Sequence, residues 1–463
     1  MSTFFENQAL FIKEKLEQQN RKPFLFSSTK NMKLPQRIAG DVIIIGDHQF
    51  DSLTKQTTFI EGDVYLIGDG IESHLHVQGN VHIINFGGLS YQKKQQKLSI
   101  LDHRFEHVQN QLVIHNTAGN IMVSGGKQDD KFFGAILEGN IKCDQDVIFD
   151  MASVNKAQLT CHSGSFVYYS QNRKPIDANQ VSFRYYAKNF SYLNSHKITF
   201  DQQSENRSNI SLSNAHITIT NQSKNYGDIS VENYTIQNTS HNFGDIYKTK
   251  YVYLQNHSQN NGNVDAHRFL LDKNSVNKGY VDVDYFTVKN GSQNTAQIFY
   301  CVNFELDNFA KNSGIVTSAN QIRISHHAQN SGEVISCNMF ALNNAAINLG
   351  NVTTQQFLAL NNSQNSGDIV SSNVKFSSHA LNLGTIFTDH FQLAWQATNK
   401  GTLFCQSSFQ LNNATNFGDV FTDIFEVHGI AKNYGKACFF TMKKHNLNNQ
   451  KSALYDTHQL KFK

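Results

Sequence analysis

Four aspartates offer the chemistry most easily read from this chain of 463 residues. Asp228 and Asp245 each follow a glycine directly and are 17 residues apart. If that interval is one turn of a repeating structure, the two carboxylates lie on adjacent turns, where like charges raise a pKa or bind a cation. Later copies of the same position carry no acid, so no sustained acidic groove is predicted: Asn263, Tyr280, Gln297 and Ile315.

The other two aspartates lie in the segment "VDVDYF". Asp282 and Asp284 alternate there with Val281 and Val283, which is the two-residue period of a β-strand with one buried face. The valines are then predicted to face the core and the carboxylates to face solvent. We therefore expect all four aspartates to be solvated surface.

Histidines raise a metal hypothesis in "SHLHVQGNVHII". His74 and His76 would share one face of a strand, with His82 nearby. Spacing fixes no third or fourth ligand, and the chain has 20 histidines spread along its length. Surface exposure is the favoured interpretation. No catalytic, cofactor-binding or metal-binding residue and no cofactor is predicted.

The single tryptophan, Trp395, stands where most repeats have asparagine or a small polar residue. An exposed aromatic ring at this place could stack on a sugar. The favoured interpretation is a tolerated turn residue.

The secondary-structure elements that position these residues are indicated by a repeated motif, Asn-x-Gly, in which x is any residue. The motif recurs every 17 or 18 residues, and Ala296 fills one glycine position. The glycines are Gly227, Gly244, Gly262, Gly279, Gly314, Gly332, Gly350, Gly367, Gly384, Gly401, Gly418 and Gly435. The asparagines are Asn225, Asn242, Asn260, Asn277, Asn294, Asn312, Asn330, Asn348, Asn365, Asn382, Asn399, Asn416 and Asn433.

Apolar residues keep the same register. One follows each glycine by two positions, as Ile369 does, and an alternating pair such as Phe391 and Leu393 comes later. A unit of this length cannot bury its own apolar face, so it must stack on its neighbours. The sequence predicts an all-β fold: a single-stranded parallel β-helix, or β-solenoid, with 17–18-residue coils. The glycine is expected to supply a backbone conformation that other residues resist, and the asparagine to tolerate left-handed geometry and to hydrogen-bond along its column.

Four segments are predicted. Residues 1–22 form a short helical cap, in which Phe5, Ala9, Ile12 and Leu16 share a face. Residues 36–180 form an irregular β-helix portion with loops such as 87–109. Residues 181–440 form the regular repeats, and 441–463 a polar C-terminal cap or tail.

Composition limits the partners and the location. The net charge is +3, with 40 basic and 37 acidic side chains interspersed, which argues against nucleic acid. No run approaches the ~20 apolar residues of a transmembrane helix. The six cysteines form no CxxC pair and are expected to be free thiols. No Sec signal peptide is recognised, so the location is left open between the cytoplasm and export by a non-Sec route.

The segment "NFGDIYKTKYVYLQNHSQNNGNV" resembles the repeats of filamentous haemagglutinin and related large bacterial adhesins, over roughly residues 180 to 440. The resemblance implies a right-handed parallel β-helix and, by analogy, a secreted or cell-surface protein. The Sec signal and the Asn-Pro-Asn secretion motif of that family are not found in this sequence. The phrases "IAGDVIII" and "IEGDVYLI" also resemble bactofilins, which polymerise end to end.

The favoured function is a non-enzymatic, elongated interaction protein, adhesin-like or effector-like, that binds a protein or glycan surface. The first alternative is a carbohydrate-active β-helix lyase or hydrolase, which requires acidic and basic side chains from neighbouring coils to converge in a groove. The second is a polymer-forming, bactofilin-like structural protein. The oligomeric state is left open.

Overall fold

A computed structural model describes residues 2–27, 34–45, 57–67, 73–84, 112–124, 126–128, 131–133 and 135–445. The predicted loop at 87–109 and residues 446–463 of the predicted C-terminal tail lie outside the described residues. The chain divides into two compact units, Met1–Asn233 and Tyr234–Lys463. That division does not test the four predicted segments, whose boundaries stay predictions.

The first unit begins with the one helix among the described residues and continues with strands. Its elements are α1 Ser2–Gln18, β1 Phe24–Ser27, β2 Arg37–Ile38, β3 Val42–Ile45, β4 Thr58–Ile60, β5 Val64–Ile67, β6 Ser73–Val77, β7 Val81–Ile84, β8 Leu112–Asn116, β9 Ile121–Ser124, β10 Gly126–Gln128, β11 Lys131–Phe133, β12 Ile136–Asp150, β13 Val154–Phe166, β14 Gln171–Asn172, β15 Ile176–Phe183, β16 Lys188–Asn189, β17 Leu193–Phe200, β18 Glu205–Asn206, β19 Ile210–Ile219 and β20 Lys224–Asn225. Strand β21, Ile229–Gln237, contains the division between the units.

The second unit alternates long strands with strands of two residues. These are β22 His241–Asn242, β23 Ile246–Gln255, β24 Gln259–Asn260, β25 Val264–Leu271, β26 Val276–Asn277, β27 Val281–Val288, β28 Gln293–Asn294, β29 Ile298–Leu306, β30 Lys311–Asn312, β31 Ala319–Ile324, β32 Gln329–Asn330, β33 Val334–Leu342, β34 Ile347–Asn348, β35 Val352–Ala359, β36 Gln364–Asn365, β37 Ile369–Phe376, β38 Leu381–Asn382, β39 Ile386–Ala394, β40 Thr398–Asn399, β41 Leu403–Asn412, β42 Thr415–Asn416, β43 Val420–His428, β44 Lys432–Asn433 and β45 Ala437–His445.

Strands in both units pair in parallel with their counterparts one coil away. In the second unit Val352 pairs with Ile369, and Ile369 pairs with Ile386. In the first unit, β12 pairs with β13 and β13 with β15. Each unit is therefore a parallel β-solenoid, and the predicted fold class is confirmed. Its handedness stays a prediction.

Apolar side chains that alternate along the long strands fill the interior. The predicted inward positions are buried, as for Ile369, which is fully buried, and Phe391, which is 2% exposed. In the first unit the rings of Phe149, Phe166 and Phe183 stack with centroids 4.6 and 4.7 Å apart. Stacking identical side chains along the axis gives each ring a partner on both faces.

The helix packs on an end of the first unit's core, as predicted. Ala9 and Leu16 of α1 are buried in one cluster with Ile43, Ile45 and Ile67. Ile12, the third predicted residue of that face, packs against the cluster, whereas the side chain of Phe5 lies outside the described residues.

The repeated asparagines form a buried ladder, which confirms the predicted hydrogen bonding along their column. In the second unit the Nδ2 of each asparagine donates to the Oδ1 of the next, at 2.6 to 2.8 Å, from Asn242 to Asn433. The same Nδ2 also donates to the carbonyl two residues on, as from Asn365 to Gly367 at 2.6 Å. A similar ladder runs from Asn155 to Asn225 in the first unit.

The expected reason for the glycines, and the expected left-handed backbone of the asparagines, were wrong. Neither the ladder asparagines nor the repeated glycines have positive φ. The glycines are required by close contact: a Cβ on Gly384 would lie 2.1 Å from the carbonyl oxygen of Gly367. Left-handed residues occupy a different corner of each coil, such as Asn361 (φ 50°) and Asn362 (φ 60°).

Candidate functional site

The aspartates that follow the repeated glycines have a structural role that the sequence reasoning missed. The Oδ1 of Asp245 accepts a hydrogen bond from the backbone N–H of Asn263 at 2.8 Å. Asn263 in turn accepts one from the N–H of Tyr280 at 3.2 Å, and in the first unit the N–H of Asp228 donates to Asn209 at 2.8 Å. The position after the repeated glycine therefore forms a second ladder. In it, a side-chain oxygen on one coil accepts a hydrogen bond from a backbone N–H at the corner of the next coil. Asp245 is exposed and Asp228 half-buried.

The three histidines of the metal hypothesis lie on two different strands of the first unit. His74 and His76 belong to β6, where His76 contacts His115 edge-on at a centroid distance of 4.9 Å. His82 belongs to β7 and stacks on Tyr65 at 4.6 Å. Burial lowers the pKa of His82 below its ordinary value. His76 and His82 therefore contact different aromatic rings, and all three histidines are half-buried.

Trp395 occupies the first left-handed position of its coil corner, with φ of 48°. Its side chain is 64% exposed, and it lies in a turn. The two neighbouring coils have Ser378 and Asn413 at left-handed positions of the same corner. Trp395 is thus an exposed turn residue.

One groove of the second unit lies on the outer face of its later coils, with a volume of about 660 Å³. Its centre is a row of three phenyl rings, Phe387, Phe404 and Phe421, which we call the phenyl column. The rings are 45%, 40% and 40% exposed. Phe440, 82% exposed, also lines the groove. Large apolar side chains are thus concentrated on one surface.

The phenyl column exposes ring edges and not ring faces. Centroids are 5.0 and 5.1 Å apart, with interplanar angles of 6° and 9°, so each ring covers its neighbour. Val370 is in register with Phe387 on one side, and Cys438 with Phe421 on the other. The two outer faces are therefore also flanked by side chains.

Polar and acidic side chains also line this groove, beside the apolar Val370 and Phe439. They include Asp389, Gln406 and Asp423, and no lysine or arginine is among the described lining residues. Cys405 is buried beneath the groove, and burial raises the pKa of its thiol. A protonated, buried thiol is a poor nucleophile. The groove therefore offers apolar contact and negative charge.

A second groove in the same unit, of about 420 Å³, has a different chemistry. Asp265 and Asp282 are in register on adjacent strands, and Asp284 lies on the same strand as Asp282. Partial burial within the groove, then the charges of Asp265 and Asp284, raise the pKa of Asp282. The Nδ1 of His267 lies 2.6 Å from Oδ2 of Asp284. Lys248, Lys250 and Tyr300 also line this carboxylate groove.

The predicted solvent exposure of Asp282 and Asp284 is confirmed, because Asp282 is exposed and Asp284 half-buried. Sequence reasoning missed that the side chains of neighbouring coils converge on them. The sequence does contain the signal, since Asp265 precedes Asp282 by 17 residues, one coil.

The six cysteines are free thiols, as expected, and five of them are buried. Burial raises the pKa of Cys161 and Cys301 to about 12. Among the described residues, no helix has the length and apolar character needed to cross a bilayer.

A scan against protein-family models, a search of curated proteins and a search of solved structures each found no match to this chain.

Proposed function

We propose that this protein is a non-enzymatic β-solenoid that binds an extended segment of a protein partner along the phenyl column. The observation that carries the proposal is the exposed row of Phe387, Phe404 and Phe421. Exposed apolar patches on soluble proteins mark interaction surfaces more often than chance. An adhesin-like or effector-like role, suggested by the haemagglutinin resemblance, is the setting in which such binding would act.

The ring geometry favours a protein segment over a glycan. A sugar stacks its C–H face on the flat face of an aromatic ring, and these faces are covered by neighbouring coils. Ring edges can instead pack against aliphatic side chains. Because Asp389 and Asp423 line the groove without a described basic residue, the segment should combine apolar and basic side chains.

The test is selection of binders from a displayed peptide library on the purified full chain. We expect the selected peptides to be enriched in apolar and basic residues. Phe404→Lys should weaken their binding by roughly tenfold or more, measured by biolayer interferometry, because it places a charge in the centre of the apolar contact. The matched control is Phe299→Lys, which changes a ring that is 60% exposed outside this groove.

Three results would contradict the proposal. The first is that no peptide is selected, and the second is that both variants lose peptide binding equally. The third is a glycan, found on a glycan array, whose binding is lost in Phe404→Lys alone. That result would assign the groove to a carbohydrate.

The carboxylate groove favours a second candidate function, a carbohydrate-active hydrolase. Acidic and basic side chains from neighbouring coils line it together, as a carbohydrate-active β-helix enzyme requires. Asp282 is suited to donate a proton, because its pKa is raised by burial and by two neighbouring carboxylates. Asp265 or Asp284 would then serve as the ionised partner.

The hydrolase is tested by assaying reducing ends released from a panel of polysaccharides. If it is correct, Asp282→Asn lowers the rate by about 10²-fold or more. Asp245→Asn, which keeps the hydrogen-bond acceptor of the corner ladder, should leave the rate unchanged. Wild-type protein that releases no sugar from any polysaccharide would remove this candidate.

A further inference from the structure

Two histidines and a glutamate meet on the last two long strands that the structure describes. Glu426 and His428 are two residues apart on β43, so both project from the same outer side of the strand. His445 on β45 is in register with His428. The two histidines are 17 residues apart, which is one coil, but they lie outside the repeated Asn-x-Gly positions.

The ligand atoms of this group are close together. One donor atom from each of the three side chains lies within 4.8 Å of the others. The Nε2 of His428 is 3.7 Å from Oε2 of Glu426, and the two imidazole rings stack at a centroid distance of 4.5 Å. Among the described residues, no other histidine, cysteine, aspartate or glutamate group of three meets that distance.

Neighbouring side chains already orient the carboxylate. The Nε2 of Gln410 donates to Oε2 of Glu426 at 3.1 Å, and the Nζ of Lys443 donates to Oε1 at 3.3 Å. Glu426 is 15% exposed and His428 33% exposed, so both are held against the surface. A partner that fixes a ligand's orientation supports metal binding, although the positive charge of Lys443 opposes it.

One movement is required. A metal ion lies in the plane of each imidazole that binds it, and the two rings are now parallel, with an interplanar angle of 5°. His445 is exposed, so its ring can rotate into a shared coordination sphere without disturbing the core. Glu426 and His428 would keep their present positions.

We propose that Glu426, His428 and His445 bind a divalent cation of the zinc, nickel and copper class. Two imidazole nitrogens and one carboxylate suit these ions, whereas calcium and magnesium prefer a sphere of oxygen ligands. The bound ion would join β43 to β45 through side chains, in addition to their backbone pairing. It would therefore stabilise the last coil that the structure describes.

The test uses the full chain, freed of metal with a chelator and titrated with zinc chloride in a calorimeter. We expect one tight site per chain. His428→Ala and His445→Ala should each weaken it by roughly tenfold or more, and Glu426→Gln should also weaken it. Lys443→Gln should tighten it, since it removes the opposing charge. The control, His379→Ala, changes an exposed histidine outside the group and should have no effect.

Circular dichroism of each variant separates loss of the ligand from loss of the fold. Calcium chloride should give no binding at the same concentrations. The proposal is overturned if zinc does not bind to folded wild-type protein. It is also overturned if His428→Ala and His445→Ala bind zinc as tightly as the wild type, because the ion would then lie elsewhere.

Discussion

At the scale of single residues, the repeated glycines exist because coils approach each other too closely for a side chain. A Cβ at Gly367 would lie 2.1 Å from the carbonyl oxygen of Gly350, and the same contact recurs along the stack. Ala296 occupies one such position, so the stack accepts a methyl group there. A side chain at the repeated glycine position is therefore energetically unfavourable but not impossible.

We predict that Gly384→Ala lowers the free energy of unfolding by about 1–3 kcal/mol, because its methyl group meets backbone atoms of the preceding coil. Gly164→Ala is the control. A Cβ there meets nothing nearer than 3.8 Å, so the change should be neutral or slightly stabilising. Urea unfolding followed by circular dichroism measures both. Equal effects of the two substitutions would show that close contact is not the reason.

The asparagine ladder leads to a second prediction at this scale. Asn365 is fully buried and links Asn348, Asn382 and the carbonyl of Gly367. Asn365→Ala removes one hydrogen bond from each of two acceptors, Oδ1 of Asn382 and the carbonyl of Gly367, and from one donor, Nδ2 of Asn348. A buried polar group left without a partner costs about 1–3 kcal/mol. We expect a clear loss of urea stability.

Asn373→Ala provides the comparison, because Asn373 is exposed on β37 and outside the ladder. This variant should change stability by at most about 0.5 kcal/mol. If the two alanine variants unfold at the same urea concentration, the side-chain hydrogen bonds of the asparagine ladder do not contribute to stability.

At the scale of elements, an ion pair joins the segment after α1 to the first coils. The guanidinium of Arg21 donates to Asp41 at 2.6 Å and to Asp63 at 2.7 Å. Burial raises the pKa of Asp63, but hydrogen bonds from Arg21 and from the N–H of Asn80 outweigh it and hold that pKa below the ordinary value. The stabilisation is therefore present above pH ~4 and is lost as the pH falls below that.

We predict that Arg21→Gln weakens the docking of α1 by about 1–3 kcal/mol, since it leaves two neighbouring carboxylates without their cation. The partial exposure of Arg21 keeps the effect below that of a fully buried pair. Hydrogen exchange of the α1 amides at pH 7 should show lower protection factors. In wild type, protection should fall as the pH drops below about 4, and in Arg21→Gln this pH dependence should be smaller.

Arg37→Gln is the matched control for the helix. It also removes an arginine–carboxylate pair, with Glu61, but the side chain of Arg37 is 76% exposed. Exposed pairs contribute little, so protection in α1 should not change. Equal loss of protection in both variants would mean that the Arg21 pair does not hold the helix.

At the scale of the whole molecule, each unit is a stack in which a coil touches only its neighbours. Removing one complete coil should therefore leave the fold intact. Deletion of residues 367–383 joins Ser366 to Gly384 and preserves the register of both ladders. We expect a β-rich circular dichroism spectrum. The free energy of unfolding should fall by about the contribution of one coil.

Deletion of residues 367–375 is the comparison. It removes half a coil, so the apolar side chains of the joined strands would no longer face the core. This variant should be insoluble or unfolded. If it were as stable as the one-coil deletion, stacking in register would not be what holds the second unit together.

The sequence by itself determined the coil length, the strands, their buried faces, the asparagine ladder and the N-terminal helix. It could do so because the axial neighbours of a residue lie a constant 17 or 18 positions away, and because strand side chains alternate. The same interval relates Phe387 to Phe404 and His428 to His445, so these pairs were also present in the sequence. They were missed because their side chains face outward and follow no repeated motif.

Only the tertiary structure decided why glycine is required and what the outward side chains can do. The distance between coils follows from backbone packing, which excludes a Cβ at Gly384 although its φ is ordinary. The covered ring faces of the phenyl column depend on side-chain rotamers. Likewise, the approach of His267 to Asp284 depends on side-chain conformation across two coils. Residue spacing states which positions are adjacent, whereas distance and orientation, on which chemistry depends, are set by packing.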